Sequence, residues 1–569
     1  MLHSRRMGLL RQAVRILTAV FGLTVQALAV TPVIIISIDT LRADHLGSYG
    51  YRKIATPNID SFAAGGTLYS NIACQTPLTL PSHTTLFTSN YPFENGIQEN
   101  AELVPPNTVT LAGVLKARGY KTAAFVSSVF LEKEMGLDQG FDTYDSPFNF
   151  AAFSPISGEM FFGGTQSSFA VRDHREGSLT LYAALRWLKA HKSDEPVFVF
   201  IHFFDLHTPY SIPEAVAHNK GISRYDAQLE YEDEIVGRLK QALMRGGWWD
   251  RALTILLSDH GEGLGDHGET SHGYFIYQST LHVPLLVHWP AGYQQQPPRM
   301  EQSGGLIDVA PTVLDFLRLP AAPAFVGSSM LAEKPRAVYS ESFHTHDSFG
   351  WSPLRSLRQG DYKYILAPRP ELYNLRNDPA EKTNLIVAQV ARAHDLRAAM
   401  GKLLERQSRP KAAASGSTPE TEKLLASLGY LASGPRGKVV NSGADPKDGL
   451  SEFHLYEKAE SLLADHRLTE AAVVLQRVLA QDAANTLARR DLAACYLDLH
   501  DYAKARINFQ LVVTQAPGDY PSQFGLGVAA KHLGRMDEAR VHLEAACRLA
   551  PNASRCRHEL DDLNKAPAR

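Results

Sequence analysis

Five short apolar runs limit the folds open to this chain more than any other feature. They read VIIISID (33–39), YKTAAFVSS (120–128), PVFVFIHF (196–203), ALTILLSD (252–259) and VPLLVHW (283–289). Each is rich in β-branched or aromatic residues, and none alternates polar with apolar. A strand of that kind has both faces covered, and the helical patterns between the runs supply the covering layers. The pattern predicts an α/β domain from Pro32 to about residue 400, built on a largely parallel sheet sandwiched by helices. Function in such a sheet gathers at the C-terminal ends of the strands. Asp39, Asp205 with His207, and Asp259 with His260 each follow directly on one of these runs.

With 569 residues, 44% of them hydrophobic, the chain holds two or more domains. A net charge of −3 and the lack of a basic stretch interleaved with aromatics exclude nucleic acid as an expected partner. Arg5, Arg6, Arg11 and Arg15 precede the apolar run Ile16–Val30, which contains the small-residue site Ala27-Leu28-Ala29. Residues 1–29 therefore read as a secretory signal peptide and imply an extracytoplasmic location, with an uncleaved membrane anchor as the alternative. Four cysteines are no disulfide framework for a chain of this size. Cys547 and Cys556 are close enough for an optional bridge, but buried thiols are the expected state.

The predicted catalytic domain spans residues 30–406, and an Ala, Ser, Gly, Pro and Lys-rich linker follows at 407–448. Beyond it Glu470-Ala471, Lys504-Ala505 and Glu538-Ala539 recur every 34 residues, as do Leu492 with Leu526 and Pro517 with Pro551. This period resembles the tetratricopeptide repeat, an all-α solenoid, and residues 449–565 hold about three units and a capping helix. The repeats are expected to contact mainly themselves and to bind a protein partner.

Two carboxylates and an imidazole at strand ends suit a divalent cation that polarises a phosphoryl or sulfuryl oxygen. They lie in IIISIDTLRADHLGSYG and SDHGEGLGDHG; further signatures are TLPSHTTLFTSNYPFENG, DLHTPY, and RQGDYKYI with ELYNLRNDPAEKTNL. Together these resemble, in order, the sulfatase family of the alkaline phosphatase superfamily, from Pro32 to about Leu385. The resemblance implies that Asp39, Asp259 and His260 bind a divalent metal ion (Zn, Mn or Ca) and that Thr79 both touches the metal and attacks the substrate. It implies that His207 holds the ester or protonates its leaving oxygen, that Asn100 holds the oxyanion, and that His272 stands where many sulfatases have an anion-binding lysine. His267, His344 and His346 receive no role, and residues 145–175 are expected to line the pocket.

The chain departs from the family at the nucleophile. Sulfatases convert a Cys or Ser in a C/S-x-P-x-R turn to formylglycine, whereas this turn carries Thr79 and has His83 in place of the arginine. TLPSH is also similar to the threonine turn of nucleotide pyrophosphatase/phosphodiesterases, where the threonine itself attacks. The expectation is an exported metal-dependent hydrolase of phosphate or sulfate esters, phosphodiesters first, acting on a small-molecule, glycan or lipid ester. A sulfatase proper, an envelope phosphoalcohol transferase and a catalytically silent repeat scaffold are the alternatives. Clustered buried charge argues against the scaffold.

Overall fold

The computed structural model describes residues 31–100, 102–146, 175–208, 210–293, 296–331, 334, 336–408, 443–464, 466–549 and 554–565. The expected signal segment, most of the linker and most of the 145–175 loop lie outside the described residues.

The large sheet contains β1 (Val33–Ile38), β2 (Thr67–Ala73), β3 (Lys121–Phe125), β4 (Thr143–Asp145), β5 (Val197–Phe203), β6 (Leu253–Leu257), β7 (His282–His288) and β8 (Arg299–Gly305). Their spatial order is β4-β3-β5-β1-β6-β7-β2-β8. Neighbours run parallel except at β7, the VPLLVHW run, which is antiparallel to both β6 and β2. In β1, Val33 and Ile35 face one apolar core while Ile34, Ile36 and Ile38 face another. The first core is closed by α1 (Thr79–Thr88); the second is closed by α2 (Gly177–Lys189) and α3 (Arg224–Arg245). This double burial is why the strand is continuously apolar, and each fully covered Ile or Val stabilises by roughly 1.5–3 kcal/mol.

The closing motif forms a second, antiparallel sheet that the strand pattern did not anticipate. It consists of β9 (Ala337–Ser342), β10 (Leu354–Gln359), β11 (Tyr362–Leu366) and β12 (Glu371–Asn374). Leu396 and Met400 of α4 (Val390–Leu404) pack on Leu357, Tyr364 and Leu372 of this sheet.

The repeat array comprises α5 (Leu450–Ala464), α6 (Leu468–Gln481), α7 (Thr486–Asp498), α8 (Tyr502–Gln515), α9 (Tyr520–His532), α10 (Met536–Leu549) and α11 (Ser554–Lys565). Three helix pairs and a last helix match the 34-residue period. The recurring Ala471, Ala505 and Ala539 are each 0% exposed, because only a methyl group fits where paired helices meet. Cys547 and Cys556 form a disulfide rather than the expected thiols: two successive helices bring their Cα atoms to 5.6 Å. Cys74 and Cys495 are free and buried. No described helix is long and apolar enough to cross a membrane.

The array does not contact only itself. Its first helix, α5, lies on the catalytic domain: the Phe453 ring is 3.9 Å from that of Tyr274, and Tyr456 meets Phe349 edge-on. Gly449 sits flush on Trp351, where a Cβ would come within 2.1 Å of the indole. The end of the predicted linker is tied down too, with Ala444 O accepting from Ser352 N–H at 2.9 Å.

Candidate active site

Because β1 lies between β5 and β6, the three strands deliver their C-terminal residues to one place. Asp39 follows β1, Asp259 and His260 follow β6, and His202 stands near the end of β5 opposite Ser37. Thr79 is the first residue of α1, so its hydroxyl lies at the positive end of that helix. Thr79 Oγ1 donates to Asp39 Oδ2 over 3.3 Å.

His260 Nδ1–H donates to the Gly261 carbonyl at 3.0 Å, which leaves Nε2 with a lone pair. That nitrogen lies 3.8 Å from Asp39 Oδ1 and 3.4 Å from Asp259 Oδ2. All three atoms are buried and have no hydrogen-bond partner. Three acceptors turned toward one point, each 0% exposed, are costly unless a cation or proton sits among them. Burial pushes the Asp39 and Asp259 carboxyls up, and for Asp259 the neighbouring Asp39 adds to it. Burial would lower His260, but the Asp259 and Asp39 carboxylates outweigh it and raise the imidazole. Asp39, Asp259 and His260 thus form a group that fits a divalent ion, with Thr79 beside it.

A second triplet, His83, His202 and Asp259, also converges. His83 is already satisfied: Nδ1–H donates to Thr79 O at 2.7 Å, and Nε2 accepts from the Ser37 hydroxyl at 3.0 Å. Burial holds His83 and His202 down at about 4, so both are neutral. His83 therefore braces the Thr79 turn, and His202 Nε2–H supports Asp39 Oδ2 at 3.3 Å. The sequence reading noted His83 only as a replaced arginine and missed His202, which reads as one more strand residue.

The remaining expected residues surround this centre. His272 lies beside His260 with ring centroids 4.4 Å apart and the rings tilted by 39°, and His207 meets His272 edge-on at 5.0 Å. His272 Nδ1 is 3.1 Å from Oε1 of Glu262, a buried carboxyl the sequence reading overlooked. Burial raises Glu262 to about 7, and burial with the nearby His260 holds His272 well below the usual imidazole range. His207 is also lowered, by burial and then by His272. Asn100 Oδ1 accepts from Leu80 N–H at 2.9 Å, so it anchors the Thr79 turn. Asp205 accepts from Gly177 N–H at 2.7 Å, at the start of α2. His267 stacks on Tyr277, His344 pairs with Glu99, and His346 pairs with Asp347.

A mostly parallel sheet with acid and imidazole groups at its strand ends, facing a hydroxyl at a helix N-terminus, defines a hydrolase of the alkaline phosphatase superfamily type. The sulfatase profile matches residues 31–319, and the chain belongs to the sulfatase family. The profile of the N-sulphoglucosamine sulphohydrolase C-terminal region matches residues 265–409, and a tetratricopeptide repeat profile matches residues 462–507. An uncharacterized sulfatase of Escherichia coli is 25% identical over 412 residues, covering 61% of this chain and 81% of that protein. A Delta 4,5-hexuronate-2-O-sulfatase of Bacteroides thetaiotaomicron is 22% identical over 442 residues, covering 64% and 87%. Among solved structures, a 2-O GAG sulfatase superposes with a TM-score of 0.53 at 19% identity, covering 67% of this chain and 93% of that one. The phosphonate monoester hydrolase of Agrobacterium radiobacter superposes at 0.51 with 20% identity, covering 66% and 96%.

Proposed function

We propose that this hydrolase is exported and cleaves phosphate or sulfate esters with Thr79 as its nucleophile, phosphodiesters being favoured. The observation that carries the reading is the Thr79 hydroxyl 3.3 Å from Asp39, beside three orphaned ligand atoms. Asp39, Thr79, Asp259 and His260 would hold a divalent ion (Zn, Mn or Ca), which would supply positive charge against the anionic ester and acidify the Thr79 hydroxyl.

In this reading Thr79 Oγ attacks phosphorus or sulfur in line with the leaving alcohol, and its proton passes to Asp39 Oδ2, 3.3 Å away. The α1 N-terminus and the Asn100 NH2 group face the growing negative charge. With its proton on Glu262, His272 presents Nε2–H to the anion while Nδ1 accepts from the acid. His207 donates Nδ1–H to the Thr208 carbonyl, so Nε2 is the position at which the imidazolium, formed as the anionic ester binds beside it, gives a proton to the leaving oxygen. Water then cleaves the Thr79 ester, giving a proton back to His207 Nε2 as Asp39 returns one to the freed Thr79 oxygen.

Phosphorus is preferred because a formylglycine hydrate can expel sulfate by collapsing to the aldehyde, and a threonine has no such exit. The sulfate ester is the second reading, favoured by the relatives that are named sulfatases. Export rests on the arginines and apolar run of residues 1–29. A protein partner for the repeats is supported by Val473, Ile507 and Val541, which recur every 34 residues at 55%, 56% and 58% exposure. The test is a turnover panel of chromogenic sulfate, phosphate monoester, phosphodiester and phosphonate esters, with metals added back to chelated protein. A sulfate ester turned over at least about tenfold faster than any phosphorus ester, roughly 1.4 kcal/mol of barrier, overturns the preference.

A further inference from the structure

The loop from Gly261 to Gly273 joins β6 to β7 and carries both Glu262 and His272. Its two arms pair with each other: the Gly263, Leu264 and Gly265 N–H groups donate to the Ser271, Thr270 and Glu269 carbonyls at 2.7, 3.2 and 2.7 Å. Leu264 and His267 hold φ of 52° and 54°, a left-handed conformation that persists only when the surroundings enforce it. The root of the loop is held within the catalytic domain. Arg42 Nη1 donates to the Glu262 and Gly263 carbonyls at 3.1 and 3.2 Å, and Arg42 pairs with Asp266 at 2.8 Å. His267 meets the Ala380 carbonyl at 3.0 Å.

The outer side of residues 268–270 is held by the repeat array. Thr270 Oγ1 donates to Glu457 Oε1 at 2.5 Å, and His454 Nε2 donates to the Gly268 carbonyl at 2.5 Å. Leu450 covers Gly268 so closely that a Cβ there would lie 3.2 Å from its methyl group. Just past His272, the Tyr274 ring packs at a tilt against Phe453 of the same helix. Thr270 is two residues from His272 on the same arm of the loop.

We propose that α5 of the repeat array is part of the active site: through Glu457, His454 and Leu450 it clamps residues 268–270 of the loop and so positions His272. Glu457 and Thr270 are positioning residues that act through His272 and touch no reacting atom. The array is thus a wall of the hydrolase as well as a recognition arm. A partner bound to the repeats has a mechanical route to the anion site, because α5 stands at the junction. The proposal rests on His272 meeting the anion in the reading above.

The experiment uses the full-length chain and its variants Thr270→Val, Thr270→Ser, Glu457→Leu and Gly449→Leu. Steady-state kinetics are measured on the best ester of the panel, and deuterium exchange on peptides covering 261–273. Displacing a catalytic group by about 1 Å costs up to about 100-fold in rate. Thr270→Val and Glu457→Leu, which remove the donor and the acceptor, should therefore lose roughly 10- to 100-fold in kcat/KM with an unchanged thermal midpoint. Thr270→Ser, which keeps the hydroxyl, should restore activity to near wild type, a rescue that a packing role alone does not give. If Thr270→Val and Glu457→Leu stay within about twofold of wild type, the proposal is overturned, whatever the exchange shows. If the wild type hydrolyses no ester, the functional reading fails and exchange decides the clamp. Faster exchange of 261–273 in Thr270→Val and Gly449→Leu then supports it, and unchanged exchange overturns it.

Discussion

Ending the chain after Ser408 removes the whole array and uncovers the catalytic surface beneath α5. Tyr274, Phe349 and Trp351 are 7%, 5% and 5% exposed in the full chain. They lose the rings of Phe453 and Tyr456 and the close approach of Gly449. Each aromatic buries about 150–250 Å², so uncovering a third to a half of three rings returns roughly 200–300 Å² to water. At about 25 cal/mol per Å² that costs roughly 5–8 kcal/mol, a large share of the 5–15 kcal/mol that typically holds a domain folded. A detached repeat arm would predict a soluble, active catalytic domain, whereas the observed packing predicts a destabilised and sticky one. Sedimentation, ANS fluorescence and thermal melting of the truncated chain should show self-association, dye binding and a midpoint lowered by roughly 10 °C or more. A monomeric, ANS-silent product melting within about 2 °C of the full chain would refute the assignment of α5 to the catalytic core.

Three other outcomes are expected. Thr79→Ala should lose turnover by at least about 1000-fold while Thr79→Ser keeps a measurable part, because serine retains an attacking oxygen; near wild-type kinetics for the alanine variant would remove Thr79 from the mechanism. Chelation should inactivate the enzyme and Asp259→Asn should weaken cation binding in calorimetry, with affinity falling as pH drops, because the raised Asp39 and Asp259 carboxyls take up protons that compete with the ion. His202, near 4 when folded and about 6.5 when unfolded, is protonated first in the unfolded chain, so stability is lost as pH falls from about 6.5 to about 4, by roughly 3 kcal/mol. The gap in urea midpoint of the catalytic-domain transition between wild type and His202→Phe should change across that window, and a constant gap would contradict a buried neutral imidazole.

What the sequence determined by itself is what short-range patterns encode. A strand buried on both faces must be apolar throughout, so β1, β5, β6 and β7 are visible as runs, and Asp39, Asp259 and His260 stand out because they end such runs with charge. The repeats are visible because every unit must bury an alanine at the same helix contact, here Ala471, Ala505 and Ala539. The antiparallel course of β7 was hidden, since a doubly covered strand reads the same in either direction. His202 was hidden for a related reason: within FVFIHF it looks like core, and only the pairing of β5 with β1 brings it to Asp39. Glu262 gained meaning only when the loop folded back to set His272 against it. The clamp of α5 on the loop joins Thr270 to Glu457, 187 residues apart. Contacts at that separation leave no local period or spacing, because they depend on how two finished surfaces meet. Tertiary structure alone decided that the repeats close on the active site.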